Sequence, residues 1–156
     1  MQVNSTIYSA LLVEDNHLVI DMARSAAAEF CHELDLTVLE GVDAALDWLK
    51  GSAVDNGRLP HIILIDLKLP KLDGLALLRT IRNYVAMRNI PIVVFSPEHT
   101  PADVLISYQV GANTFVPKPV DEEQFGALFR EQLAYWMGHR PRKAPATAMG
   151  DAGGRI

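Results

Sequence analysis

Glu14, Asp15, Asp66, Ser96 and Lys118 all lie at or just beyond the C-terminal ends of short apolar runs in a chain of 156 residues. If those runs are strands of one sheet, the five side chains converge at one edge. Three clustered carboxylates repel one another unless a cation or a shared proton compensates them, and all-oxygen ligation of this kind suits magnesium rather than a softer metal. A bare carboxylate can also act as a nucleophile and form an aspartyl phosphate, provided that positive charge offsets the equatorial oxygens of the incoming phosphoryl group. Lys118 and the metal would supply that charge, and Ser96 a hydrogen bond. Each residue alone is more simply a solvated or capping side chain; their joint placement is what points to a site.

The elements that must position them are legible as apolar runs at Tyr8 to Val13, Leu36 to Leu39, His61 to Ile65, Ile92 to Phe95 and Thr114 to Val116. Several are β-branched and uninterrupted, as buried parallel strands require. Helical spacing separates them, with stripes at Leu18, Met22, Ala26 and Phe30; at Val42, Ala45, Leu46 and Leu49; and at Leu75, Leu78, Ile81 and Val85. Two further stripes run through Val104, Leu105 and Tyr108, and through Phe125, Leu128, Phe129, Leu133 and Trp136. Thr100 to Asp103 and Asp121 to Gln124 read as capping boxes, and Gly111 as a helix stop. Alternating strands and helices predict an α/β fold, a doubly wound five-stranded parallel sheet with five helices, and ligands at the strands' C-terminal ends. Gly51 to Leu59 reads as a long link, and the Pro-, Ala- and Gly-rich stretch from Gly138 as a disordered tail.

With 49% hydrophobic and 21% charged side chains, the composition suits one compact domain. Cys31 has no disulfide partner, and His17, His32, His61, His99 and His139 form no ligand pair, so a structural zinc site is not expected and a reducing cytoplasm is. No apolar run approaches the ~20 residues that span a bilayer, so a soluble protein without a membrane partner is expected. Residues 139–156 carry four basic residues against one acidic, which leaves the rest of the chain more acidic than its net charge of −5 and argues against nucleic acid as a partner. The basic run Arg140 to Lys143 is short enough to be an ordinary solvated tail.

Over roughly residues 7 to 137 the chain resembles the response-regulator receiver family of bacterial two-component systems. The resemblance is carried by Leu12-Val13-Glu14-Asp15-Asn16, Ile65-Asp66-Leu67-Lys68-Leu69-Pro70, Leu72-Asp73-Gly74, Phe95-Ser96 and Gly111-Ala112-Asn113 leading to Lys118-Pro119. It implies a flavodoxin-like receiver domain over residues 1–138, with 139–156 as its tail, that takes a phosphoryl group on Asp66 from a sensor histidine kinase. It further implies Mg2+ on Asp15, Asp66 and the carbonyl of Lys68, with Glu14 acting through water, and a cis Lys118-Pro119 bond. A switch would couple the Ser96 hydroxyl to Phe115 and alter the surface of the fourth helix, fifth strand and fifth helix. The phytochrome-associated branch is a closer likeness, through Ser107-Tyr108, Pro119-Val120-Asp121 and Tyr135-Trp136, and implies a phytochrome-like kinase.

The chain departs from the family pattern at Pro97, which has no N–H to donate to a phosphoryl oxygen. The resemblance further implies that Lys68 and Glu98 stand at the family positions that govern the approach of water, where opposite charges would form a lid. Tyr135, Trp136 and Met137 form a large apolar group near the end of the last helix, which suggests a homodimer contact. The chain would catalyse only its own phosphorylation and dephosphorylation, and its downstream protein is not specified by the sequence. Two other readings stand beside this one: a haloacid-dehalogenase-like phosphatase, although Lys68 replaces the second acid of its nucleophile loop, and a docking module independent of phosphorylation. A flavin-binding protein is disfavoured, because no Ser/Thr/Gly-rich phosphate loop follows the first strand.

Overall fold

The strands of the computed structural model are β1 (Tyr8–Val13), β2 (Leu34–Leu39), β3 (Ile62–Asp66), β4 (Ile92–Ser96) and β5 (Thr114–Pro117). They pair in parallel in the order β2-β1-β3-β4-β5. The helices are α1 (His17–Ala28), α2 (Val42–Val54), α3 (Gly74–Asn83), α4 (Pro101–Val110) and α5 (Glu122–Trp136), with short 3-10 turns at Cys31–Glu33 and Val85–Met87. The structure describes residues 7–54, 58–68, 74–97, 100–119 and 121–138. The tail beyond 138 and Glu98 lie outside the described residues.

Every residue of β3 and β4 is buried, because helices cover both faces of the sheet. On one face Leu11, Ile63, Ile65, Ile92, Val94 and Phe115 pack against Val42, Ala45 and Leu49 of α2 and Leu77, Leu78 and Ile81 of α3. On the other, Leu12, Leu64, Val93 and Phe95 pack against Ala23, Ala26 and Ala27 of α1 and Phe125, Phe129 and Leu133 of α5. The chain runs outward from β1 to β2 and then returns to the other side of β1 for β3, so the order in which strands are added reverses between β1 and β3 while all of them stay parallel. In open α/β sheets the crevice at the carboxyl ends of two such strands is where ligands bind.

Several sequence expectations shift at this level. β2 begins at Leu34 rather than Leu36, and α2 continues through Gly51 to Val54, into the stretch expected as a link. The buried stripe of α1 is Val19, Ile20, Ala23, Ala26 and Ala27, while Leu18 is 63% exposed. Small alanines let the helix approach the sheet closely, so side-chain size misleads there. On the third helix Leu77, Leu78 and Ile81 are buried, and Val85 is exposed in the turn that follows. The capping box at Thr100 and Asp103 forms, whereas Asp121 caps α5 by position without a side-chain hydrogen bond. Met137 belongs to the core between α1 and α5 and is not available as a subunit contact.

Candidate functional site

Glu14 continues the run of β1, its N–H donating to the carbonyl of Leu39 at 3.0 Å, so its side chain is carried into the interior at the sheet edge. Asn16 then starts α1 by accepting from the N–H groups of Leu18 and Val19 at 3.0 and 3.3 Å, and its own N–H donates to Glu14 Oε2 at 3.1 Å. The turn between strand and helix is thus closed on Glu14 itself.

Asp66 is the last residue of β3, opposite Phe95 of β4, and is 5% exposed. The N–H of Lys68 donates to Asp66 Oδ1 at 3.0 Å. Gly74 packs directly against this strand end: a Cβ built there would lie 2.5 Å from the Asp66 carbonyl oxygen and 2.8 Å from Ile65 Cγ2. Only glycine fits that close approach of helix to strand.

Ser96 follows Phe95 at the end of β4 and is fully buried; its carbonyl accepts from the N–H of Lys118 at 2.8 Å. That bond brings Lys118 to the same edge. Lys118 Nζ lies 2.9 Å from Glu14 Oε1 and 3.4 Å from Asp66 Oδ2. The Lys118-Pro119 bond is trans, contrary to the cis expectation. An X-Pro bond prefers trans by about 0.5–1 kcal/mol, and Lys118 reaches both carboxylates in that form.

The structure therefore brings together Glu14, Asp15, Asp66 and Lys118, with Ser96 on the adjoining strand. Oxygens of Glu14, Asp15 and Asp66 lie within 4.8 Å of one another. One ammonium faces three acids, and the charge left over when all are ionised matches a divalent cation with oxygen ligands. Burial is the main cause that pushes the Glu14 carboxyl up to about 7; its hydrogen bond to Lys118 opposes this and the charge of Asp66 adds to it.

Phe115 stands opposite Val94 in the sheet and packs in the core beneath α3 and α4. Pro97 and Lys68 are exposed beside the site. Arg82 is not singled out by the sequence, Asn113 enters only through its motif, and Tyr108, expected on the apolar stripe of the fourth helix, is 46% exposed. Arg82 donates to the carbonyls of Gly111, Arg88 and Ile90 at 2.9, 3.0 and 2.8 Å and to Asn113 Oδ1 at 2.8 Å, which also accepts from the N–H of Ile92. Tyr108 Oη accepts from the N–H of Phe115 at 3.1 Å. The run Gly111-Ala112-Asn113 was the available signal for this cluster, but its arginine lies 29 residues away from Gly111.

The family described as the response regulator receiver domain matches residues 10–130. The "Probable methanogenesis regulatory protein FilR2" of Methanothrix harundinacea is 32% identical over 138 residues, covering 87% of this chain and 88% of that protein. The phosphorylated cyanobacterial phytochrome response regulator RcpA superimposes with a TM-score of 0.80 at 26% identity, covering 87% of this chain and 98% of that one. The Mn(2+)-bound response regulator Rcp1, a protein of Synechocystis, gives 0.77 at 26% identity, with 89% and 99% covered.

Gly74→Ala is expected to destabilise the fold by about 2 kcal/mol, within the usual cost of overpacking. Gly51→Ala, in α2 with no atom of the described residues beyond its own helix turn within 4 Å of its built Cβ, should instead stabilise by about 0.5–1 kcal/mol. Urea titration of both variants checks the contrast; equal effects would refute the role given to Gly74.

Proposed function

Because the chain belongs to the response regulator receiver domain family, we propose that Asp66 is its phosphoryl acceptor, loaded by a sensor histidine kinase. The observation that carries this reading is the placement of Asp66 at the end of a central strand, with Lys118 Nζ at 3.4 Å and two further carboxylates alongside. Asp15, Asp66 and the carbonyl of Lys68 would hold Mg2+, with Glu14 acting through water. When bound, the ion supplies positive charge to the phosphoryl oxygens.

In the transfer, an Asp66 carboxylate oxygen attacks phosphorus, the P–N bond to the kinase imidazole breaks, and the imidazole nitrogen takes up a proton. Lys118 already contacts Asp66 and follows the charge onto the phosphoryl group, and Ser96 offers its hydroxyl from β4. Hydrolysis reverses the modification: water attacks phosphorus, the acyl phosphate bond breaks, and inorganic phosphate leaves. The chemistry is confined to the chain's own aspartate. The relatives support this receiver role and neither alternative, phosphatase or phosphorylation-independent module.

In the modified state, movement of the Ser96 hydroxyl toward the phosphoryl group would draw Phe115 inward. The surface that reports this to a partner is that of α4, β5 and α5, where Leu105, Ile106, Tyr108 and Tyr135 are exposed. A second copy of the chain is the proposed occupant. A phytochrome-like kinase is the proposed donor, on the likeness to RcpA and Rcp1. Lys68 and Glu98 are proposed to gate water; Glu98 lies outside the described residues, and the proposal rests on the two residues' places in the sequence.

Phosphotransfer from candidate kinases should require Mg2+ and fall to background in Asp66→Asn; transfer retained in that variant would overturn the assignment. In the same assay, Pro97→Ala should lengthen the lifetime of the phosphorylated form several-fold, since it restores a donor worth roughly 1.5–3 kcal/mol to a charged acceptor. An unchanged lifetime refutes that.

Glu14 adds a pH signature. Below its ordinary value of 4.5 it is protonated in both folded and unfolded chains; between 4.5 and about 7 only the folded chain keeps the proton, so its contribution to stability falls as pH rises through that window. Mg2+ requires the ionised form, so the rise in Tm that Mg2+ produces should grow from pH 6 to pH 8 and flatten in Glu14→Gln. A pH-independent Mg2+ effect in the wild type would contradict this. Sedimentation should find dimers at micromolar protein, and charge placed at Leu105 and Ile106 should dissociate them; a monomer in the wild type ends the dimer proposal.

A further inference from the structure

α4 is held only weakly by packing. Of its ten residues only Ser107 is buried, and Leu105, Ile106 and Tyr108 are 58%, 38% and 46% exposed, whereas α1 buries five residues. Val104 and Val110 reach the core only in part. A helix with so little buried apolar surface takes its position from specific polar bonds, and it is the kind of element that moves at low cost.

Among the described residues those bonds fall in three places. At its start, Thr100 and Asp103 form a reciprocal cap within the helix itself. At its end, Arg82 grips the carbonyl of Gly111, whose φ of 133° suits glycine, and Asn113 beyond it. The third bond crosses to the sheet: Tyr108 Oη accepts from the main-chain N–H of Phe115. β5 is an edge strand, and the next residue with the same outward orientation, Pro117, has no N–H. The Tyr108 hydroxyl thus takes the donor that this stretch of the edge presents.

We propose that Tyr108 is a positioning residue that ties the main chain of Phe115 to the outward face of α4, so that a displacement of Phe115 is carried to α4 instead of being absorbed within β5. The inference rests on the phosphoacceptor reading of Asp66. Its base fixed by Arg82 and its start free of tertiary polar anchors among the described residues, α4 can tilt about Gly111. Tyr108, three residues before that glycine, transmits the tilt through a single hydrogen bond. Because the ring is exposed and its hydroxyl is bound to β5, a partner seated on α4 would touch a side chain whose position depends on the strand.

The test is Tyr108→Phe in the full chain, which removes one hydroxyl and keeps the ring. Amide hydrogen exchange is followed with and without acetyl phosphate and Mg2+, and phosphate incorporated at Asp66 is measured alongside. In the resting variant, exchange at the Phe115 amide should rise at least tenfold, while phosphate incorporation stays within twofold of wild type. On phosphorylation, the change in exchange across residues 101–110 should fall to less than half of that in wild type. A purely structural contact would raise exchange at Phe115 and leave that α4 response whole, which overturns the proposal, as does unchanged protection of Phe115. A wild-type chain that takes up no phosphate overturns the Asp66 reading and the relay together, and the incorporation measurement identifies that outcome separately.

Discussion

Three carboxylates cluster at the carboxyl edge of the sheet, two of them paired with one ammonium, and the architecture around them is arranged to keep them there. Glu14 and Asp66 are almost wholly removed from water, where unlike charges attract strongly and like charges repel strongly. Lys118 bridges them, but its position depends on a main-chain bond to Ser96, and thus on the register of β4 against β5. A slip of one residue in any of the central strands would turn one of these side chains toward the opposite helical layer. The all-apolar interior of β3 and β4 secures that register, so a core with no chemistry of its own sets the charge balance of the site.

Two short-range devices then fix the acids more finely than strand pairing can. Asn16 closes the turn after β1 by bonding to Glu14 and to the first N–H groups of α1. Gly74 lets α3 begin against the very end of β3. Both devices use small or polar residues at helix starts, where backbone donors are otherwise without intrahelical partners. The acids are therefore held by the same turns that launch the helices, and the burial that raises the Glu14 carboxyl follows from this placement.

Much of this was legible in the sequence, for a physical reason: buried parallel strands are written as unbroken apolar runs, and residues at their ends share one edge. Asp66, Ser96 and Lys118 could be placed from that alone. What could not be read were relations between distant residues. The grip of Arg82 on Gly111 and Asn113 depends on where two loops meet, and the bond from Phe115 to Tyr108 on how a helix lies across an edge strand. Helix faces were misjudged where size and burial diverge: alanines of α1 face the sheet while Leu18 faces water, and on α4 the burial falls on Ser107 rather than on Leu105. Gly51 to Leu59 reads as a link in the sequence, yet α2 carries Gly51 in its last turn, although glycine is a poor helix former.

The sparse burial of α4 separates two things that most helices combine. Where a helix contributes to the core, its sequence is constrained by packing, and any change of partner risks the fold. Most of α4 is answerable only to what it touches from outside. Substitutions on its outer positions can therefore accumulate, through drift or by design, without disturbing the acids at the strand ends, and one scaffold can be readdressed to new recipients while its chemistry stays intact.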